Sequence, residues 1–384
     1  MRHVLTAAAL AAMMTGTAYA GDLGGKGDVA DLEERVAELE ATYAKKGNRK
    51  VSLTISGQVS KSLLWHDIEG LNGADSFRVI DNANSGTRLN FAGMGRVNKD
   101  LSVGFVIELG IDESKGKLLY DVFAADDIAL RHSYAWIDTA FGKVSLGHTS
   151  SATDGIVEVS LANTTVASLP LSIEPLWTYL GAPAIVGPGI NISVNPAPFD
   201  GGRNSVLKYE TPVLAGFTGS AAWGGGQAGT YDDLWDAALR YAGEFGGVRV
   251  AAGAGYRVES FANLGGPETK TMAGSASAMH MLSGFFATVS AARQDDNVLY
   301  GDLQMWQVQG GIEKKFTELG ATTLFIEYAQ HKLMDADVKS TFWGVGAVQA
   351  IDAAATDIFI SLRQYDLGGE MDAMVGMGGV RIRW

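Results

Sequence analysis

The chain has 384 residues, enough for one large domain or two ordinary ones, and it is acidic, with 43 Asp and Glu against 30 Lys and Arg. That balance argues against a nucleic-acid binder, whose footprint is basic, and the absence of cysteine excludes disulfide scaffolds, thiolate metal sites and cysteine nucleophiles. Although 47% of the chain is apolar, beyond the first twenty residues no apolar run approaches the ~20 residues a membrane helix needs.

Arg2, the apolar stretch from Val4 to Met14 and the small residues closing on Ala18-Tyr19-Ala20 form the three parts of a secretory signal. Residues 1–20 are therefore expected to be removed on export. Residues 21–49 read as a linker with a short helix, because Val29, Leu32, Val36, Leu39 and Tyr43 are spaced 3, 4, 3 and 4 with charged residues between them. Two heptads are marginal alone. The seam either gathers copies of the chain or lies as an amphipathic helix on its own domain; Val at a with Leu at d favours two strands over three.

From Val51 the period changes to 2, with Val51, Leu53, Ile55 and Val59 alternating with Ser52, Thr54, Ser56 and Ser60. Sixteen such segments are expected, at 51–65, 84–97, 100–110, 128–138, 141–149, 204–212, 216–223, 234–244, 247–258, 269–279, 282–293, 303–315, 320–331, 340–350, 355–365 and 372–384. Most run about ten residues, the length of a tilted strand across a bilayer. Short turns, as at Asn98-Lys99 and Phe245-Gly246, alternate with longer acidic loops such as Asp112 to Asp127 and Asp335-Ala336-Asp337. Phe141, Phe217, Phe245, Phe316 and Trp384 stand beside short turns or the terminus, where an interfacial girdle belongs. The expected fold is all-β: a sixteen-stranded antiparallel transmembrane barrel over residues 50–384, closed so that every backbone group is satisfied within lipid.

One connection is exceptional. Residues 150–203 contain no clean strand and hold six of the eight prolines, and a loop of that length in a compact domain is usually functional. An external flap over the mouth or an intersubunit latch is one reading of it. Its acids are Asp154, Glu158, Glu174 and Asp200. If the greasy residues face lipid, then Arg88, Arg131, Arg240, Arg249, Arg257, Arg363, Arg381 and Arg383 point inward, which is tolerable in a wet lumen and prohibitive in a dry core. They are expected either to face the loop acids across the pore, setting up a transverse field, or to pair with wall acids such as Glu108, Asp236 and Glu327.

The leader, the heptad stretch, Lys50-Val51-Ser52-Leu53-Thr54-Ile55-Ser56-Gly57, Asp81-Asn82-Ala83-Asn84-Ser85-Gly86-Thr87-Arg88, the Leu130–Trp136 and Gly142–Gly147 segments and the terminal Trp384 occur in an order that resembles the general porins of alphaproteobacteria. The resemblance spans essentially the whole chain. It implies a homotrimer in the Gram-negative outer membrane, in contact with lipid and lipopolysaccharide and passing ions and small hydrophilic solutes. It also implies that the loop narrows the pore and that Trp384 ends a barrel-assembly signal. A substrate-selective channel is the alternative, and an adhesin or barrel enzyme a more distant one. His132 and Ser133 would project to opposite faces of a strand and cannot act as a pair, and His148, Ser150, Ser151 and Asp154 are read as a solvated mouth. No cofactor is expected; divalent cations at the acidic loops, bridging to lipopolysaccharide phosphates, are the one metal considered.

Overall fold

The computed structural model describes residues 50–68, 76–111, 128–168, 199–225, 233–261, 266–296, 302–335, 337–366 and 372–384. The leader, the heptad seam from Val29 to Tyr43 and Glu174 lie outside the described residues. Among the described residues seventeen strand elements form one antiparallel sheet: β1 (Ser52–Ile68), β2 (Ser76–Asp81), β3 (Arg88–Asn98), β4 (Leu101–Ile111), β5 (Ile128–Thr139), β6 (Gly142–Ser150), β7 (Arg203–Glu210), β8 (Phe217–Gly225), β9 (Asp233–Phe245), β10 (Val248–Ser260), β11 (Glu268–His280), β12 (Phe285–Asp296), β13 (Leu303–Thr317), β14 (Gly320–Leu333), β15 (Val338–Ile351), β16 (Thr356–Asp366) and β17 (Asp372–Arg383). β1 pairs with β2 through its second half, with β3 through its first, and with β17 on its other edge. β2 and β3 are thus two parts of one stave, and the sheet closes as a sixteen-stave barrel.

The second expected segment, 84–97, is therefore corrected. The stave begins at Ser76, breaks over Asn82–Thr87 with a turn of 3-10 helix at Ala83–Ser85, and resumes at Arg88. Asn, Ser and Gly in that stretch favour turn over ladder. Asn82 caps the turn by accepting from the Asn84 amide, and Gln58 donates to the Ser85 and Gly86 carbonyls at 3.0 and 2.7 Å. On the outside, Asp81 accepts from the Thr87 amide and hydroxyl and pairs with Lys61 at 3.0 Å.

Alternation sets the two faces. Val79, Leu146, Ile326 and Ile360 are exposed on the outer face, while Ile80, Ser145, Glu327 and Ser361, one position away, are buried within. Phe141, Phe217, Phe245, Phe316 and Trp384 are exposed at the short-turn end, as a girdle at a membrane interface requires. The β9–β10 hairpin turns on Gly246 and Gly247, with φ of 55° and 80°, the paired positive angles of the two-residue turn that matches strand twist.

The inner face is not uniformly polar, although the inward arginines imply a wet lumen. Phe286, Phe325, Phe342, Phe359, Val375 and Met377 form a buried inward cluster. Their strands are apolar on both faces, as in Leu324-Phe325-Ile326 and Ile358-Phe359-Ile360, the mark of a sheet covered on both sides.

Candidate functional site

What covers that inner cluster is the segment following β6. Leu161, Val166 and Ala167 pack onto it, and Ala152, Ile156, Val157 and Phe199 form a second cluster with Val206, Leu234 and Met305. The polar anchors trace the path. Asp236 of β9 accepts from the Ala152 and Thr153 amides at 3.0 and 2.7 Å and from the Thr153 hydroxyl at 2.7 Å. Ser275 and Ser290, on β11 and β12, donate to the Ile156 and Val157 carbonyls. Asn163 reaches Glu313 of β13 through its amide and Asp357 of β16 through its side chain, at 2.7 and 3.0 Å. Ser168 donates to Glu327 at 2.5 Å, and Asn82, in the broken stave, donates to the Val166 carbonyl at 2.8 Å. These anchors lie on the inner face of strands from β9 to β16, so Ser151–Ser168 reaches them only from inside the barrel.

The strongest anchor is a buried ion pair. Arg363 Nε lies 2.7 Å from Glu327 Oε1, with both side chains at most 1% exposed. The guanidinium also donates to Ser168 at 2.8 Å and stacks 4.7 Å from the Phe342 centroid. Dense hydrogen bonding is what makes such a buried pair tolerable. At the root of the segment Asp200 accepts from the Gly155 and Ile156 amides, both at 2.9 Å, tying its two ends together. Burial first and the nearby Asp154 second push the Asp200 carboxyl up to about 7.

On the inner face of β3–β6 the described residues leave a group of charges part-exposed. Arg131 Nε lies 2.6 Å and Arg88 Nη1 3.8 Å from Glu108 Oε1, with the arginine side chains 26% and 29% exposed. Arg203, at the start of β7, lies within electrostatic range of Arg131, Glu108, Asp154 and Glu158. Among the described residues Arg203 thus links the Arg88–Arg131–Glu108 group to Asp154 and Glu158 of the crossing segment.

The predicted residues divide by role. Arg88 and Arg131 are a part-exposed pair on the inner face of β3 and β5. Arg240 donates to the Ala152 and Asp154 carbonyls at 2.8 and 2.7 Å and serves as a further anchor. Arg257 and Arg363 do not line an open wall, because the segment buries them; Arg257 is held by the Asp200 carbonyl and by Glu259. Arg249 faces Glu244 at 3.4 Å beside the β9–β10 turn, at the mouth rather than the middle. Arg381 and Arg383 both pair with Asp357, at 2.7 and 2.9 Å. Asp154 and Glu158 lie within electrostatic range of Arg203, whereas Asp200 points back into its own segment.

Sequence reasoning missed Arg203, the anchoring role of Asp236, and the inward rings of His132, Tyr134 and Trp136. A signal for those rings exists: apolar positions on β5 shift from Ile128 and Leu130 to Ala135 and Ile137, from even to odd. The ladder shows why, since Glu108 pairs with His132 and Leu109 with Leu130, leaving Arg131 as a bulge. His148, on the outward alternation of β6 with exposed Val144 and Leu146, does not converge with buried Ser151. Among the described residues no group of three His, Asp or Glu side chains is placed to hold a metal ion.

The sequence model of the Gram-negative porin family matches residues 6–370. The fold is similar to an anion-selective porin from Comamonas acidovorans, at 16% identity over 87% of this chain and 100% of that one, with a TM-score of 0.58. It is similar to outer-membrane expressed OmpT of Vibrio cholerae, at 13% identity over 88% and 99%, TM-score 0.57. It also matches Salmonella typhi OmpF, solved in complex with daunomycin, at 12% identity over 87% and 98%, TM-score 0.56. No curated protein matches the chain.

Proposed function

Because the chain belongs to the Gram-negative porin family and is an integral channel of the outer membrane, we propose that ions and small hydrophilic solutes diffuse passively along the β3–β6 side of the lumen. In this reading the 150–203 segment narrows the pore. One observation supports it above the rest: Arg88 and Arg131 keep 29% and 26% of their side chains exposed, while Arg363 beneath the segment keeps 1%. Charged groups left wet along one wall mark where water and solute run. The family and the barrel support a channel rather than an enzyme.

The finer placement among alphaproteobacterial general porins rests on the order of the motifs given above. The homotrimer rests on the outer face around the seam. There the Lys61–Asp81 pair interrupts the apolar band, and a charge facing lipid is costly enough to favour cover by a neighbouring copy. One of the similar OmpT structures is of a trimer form. Lipopolysaccharide, bridged by divalent cations at the acidic loops, completes the proposed surroundings. Reconstitution in a planar bilayer under a salt gradient tests the channel: discrete steps with a finite reversal potential are expected, and a film that stays insulating overturns the reading.

A further inference from the structure

The bulge at Arg131 has an effect beyond register. It turns Arg131 and His132 to the same side, after which Tyr134 and Trp136 follow at every second position. His132, Tyr134 and Trp136 therefore form a ladder of rings on the inner face of β5, each partly exposed. Their Cα atoms are spaced ~7 Å apart along the strand. The ladder runs from the basic wall toward the short-turn end.

Two neighbours shape it. Gly104 on β4 and Gly147 on β6 stand opposite Trp136 and Tyr134, and a Cβ at Gly104 would collide with the Trp136 indole. Trp136 is therefore seated against the wall, while Lys143 Nζ lies 5.2 Å from its ring centroid. His132 meets Tyr134 edge-on at 6.0 Å, and His132 Nδ1 lies 3.2 Å from the Thr149 hydroxyl. Cations stand at both ends of the ladder, Arg131, paired with Glu108, and Arg203 at the His132 end, and Lys143, in range of Glu210 and Asp138, at the Trp136 end. The inward rings of Phe286, Phe325, Phe342 and Phe359 offer nothing comparable, because the crossing segment covers them.

We propose that His132, Tyr134 and Trp136 form a binding track for small organic anions that carry a flat ring, aromatic carboxylates being the simplest. The ring face stacks on Tyr134 or Trp136 while the carboxylate pairs with Arg131 and Arg203 or with Lys143. Neutral sugars would gain the stacking but not the charge pairing, and acetate the reverse. The proposal rests on the channel reading above and deepens it by naming a solute class.

The test is current block by benzoate, with acetate and glucose as comparison solutes, on the full chain in planar bilayers. Benzoate is expected to lower the current saturably, with acetate and glucose weaker at equal concentration. Tyr134→Leu and Trp136→Leu, which keep apolar bulk over the glycines, are expected to raise the half-blocking benzoate concentration by about 2- to 10-fold, the range of one aromatic contact. Lys143→Gln, which leaves all three rings in place, should weaken benzoate block even if a ring variant fails to assemble. Benzoate no more effective than acetate, or ring variants blocked like the parent, would overturn the track. Steps in potassium chloride judge the channel separately, so a conducting protein indifferent to benzoate defeats this inference alone.

Discussion

Trp384 and Gly57 close the barrel: they exchange both backbone hydrogen bonds, at 3.1 and 3.2 Å, and the indole occupies the place a Gly57 Cβ would take. The last residue is thus a ring seated on a bare backbone position of the first strand. The same arrangement recurs where Phe105 lies over Gly93, Trp136 over Gly104 and Phe325 over Gly346, and it gives many of the 49 glycines a purpose. A Cβ at Gly57 would come within 2.6 Å of both the Arg88 carbonyl and the Trp384 ring. Gly57→Val is expected to destabilise the closed barrel by about 1–3 kcal/mol, the usual range for overpacking. Loss of the compact, heat-modifiable band in unheated gel electrophoresis would register it, and an unshifted band would refute it.

Removing one member of the Glu327–Arg363 pair should cost more than removing both. Glu327→Leu leaves a guanidinium buried with its chief partner gone, which costs about 3–5 kcal/mol, whereas Glu327→Leu with Arg363→Met restores an apolar match to Phe342. Thermal unfolding in detergent should place the double variant above the single. The reverse order would show that the pair is not what holds Ser168 to the wall.

Asp236 takes three hydrogen bonds from the root of the crossing segment. Asp236→Ala leaves two buried amides unsatisfied, at about 1–3 kcal/mol each. The segment should loosen before the barrel does, so open-channel current noise is expected to rise while overall heat stability falls only modestly. Quiet currents from Asp236→Ala would argue that Arg240 and Asp200 hold the root unaided.

Asp200 makes the root sensitive to pH. Its folded value of about 7 lies above the ordinary 3.8, so the fold favours the neutral acid. That contribution is fully present below the unfolded value and is lost as pH rises through about 7. The thermal midpoint should therefore fall between about pH 4 and pH 7 and level off above, while ionisation of the folded form, adding a negative charge beside Asp154, should increase cation preference between about pH 6 and pH 8. Asp200→Asn should flatten both trends; reversal potentials across that range provide the check.

Arg131→Ala takes one charge from the open wall, where an exposed unit charge at about 4 Å is worth on the order of 1 kcal/mol, or several-fold in local anion concentration. Anion permeability relative to cations should fall by up to that factor, and Arg249→Ala, at the mouth beside Glu244, should have a smaller effect. Equal effects from the two variants would mean that the field at the mouth, not at the wall, selects ions.

The barrel itself was legible because one face of nearly every strand meets lipid and must be apolar, so alternation and stave number were written into residues such as Leu101, Val103, Phe105 and Ile107. What escaped were departures from alternation. The break at Asn82–Thr87 hides a stretch of ladder behind turn residues, and the Arg131 bulge reverses the parity of half of β5. The arginines were expected inward on chemical grounds, but burial depends on where the crossing segment lies, which is set by scattered partners such as Asp236, Ser275 and Glu327. Only the three-dimensional path brings those together.

The oily patches beneath the crossing segment bear on any attempt to enlarge the bore for sensing polymers or delivering drugs. Excising the insertion would not yield a clean tube, because Phe325, Phe342, Phe359 and Met305 would then confront water, inviting collapse or clumping. A redesign that repaints those positions with serine and threonine before cutting should produce the wider nanopore.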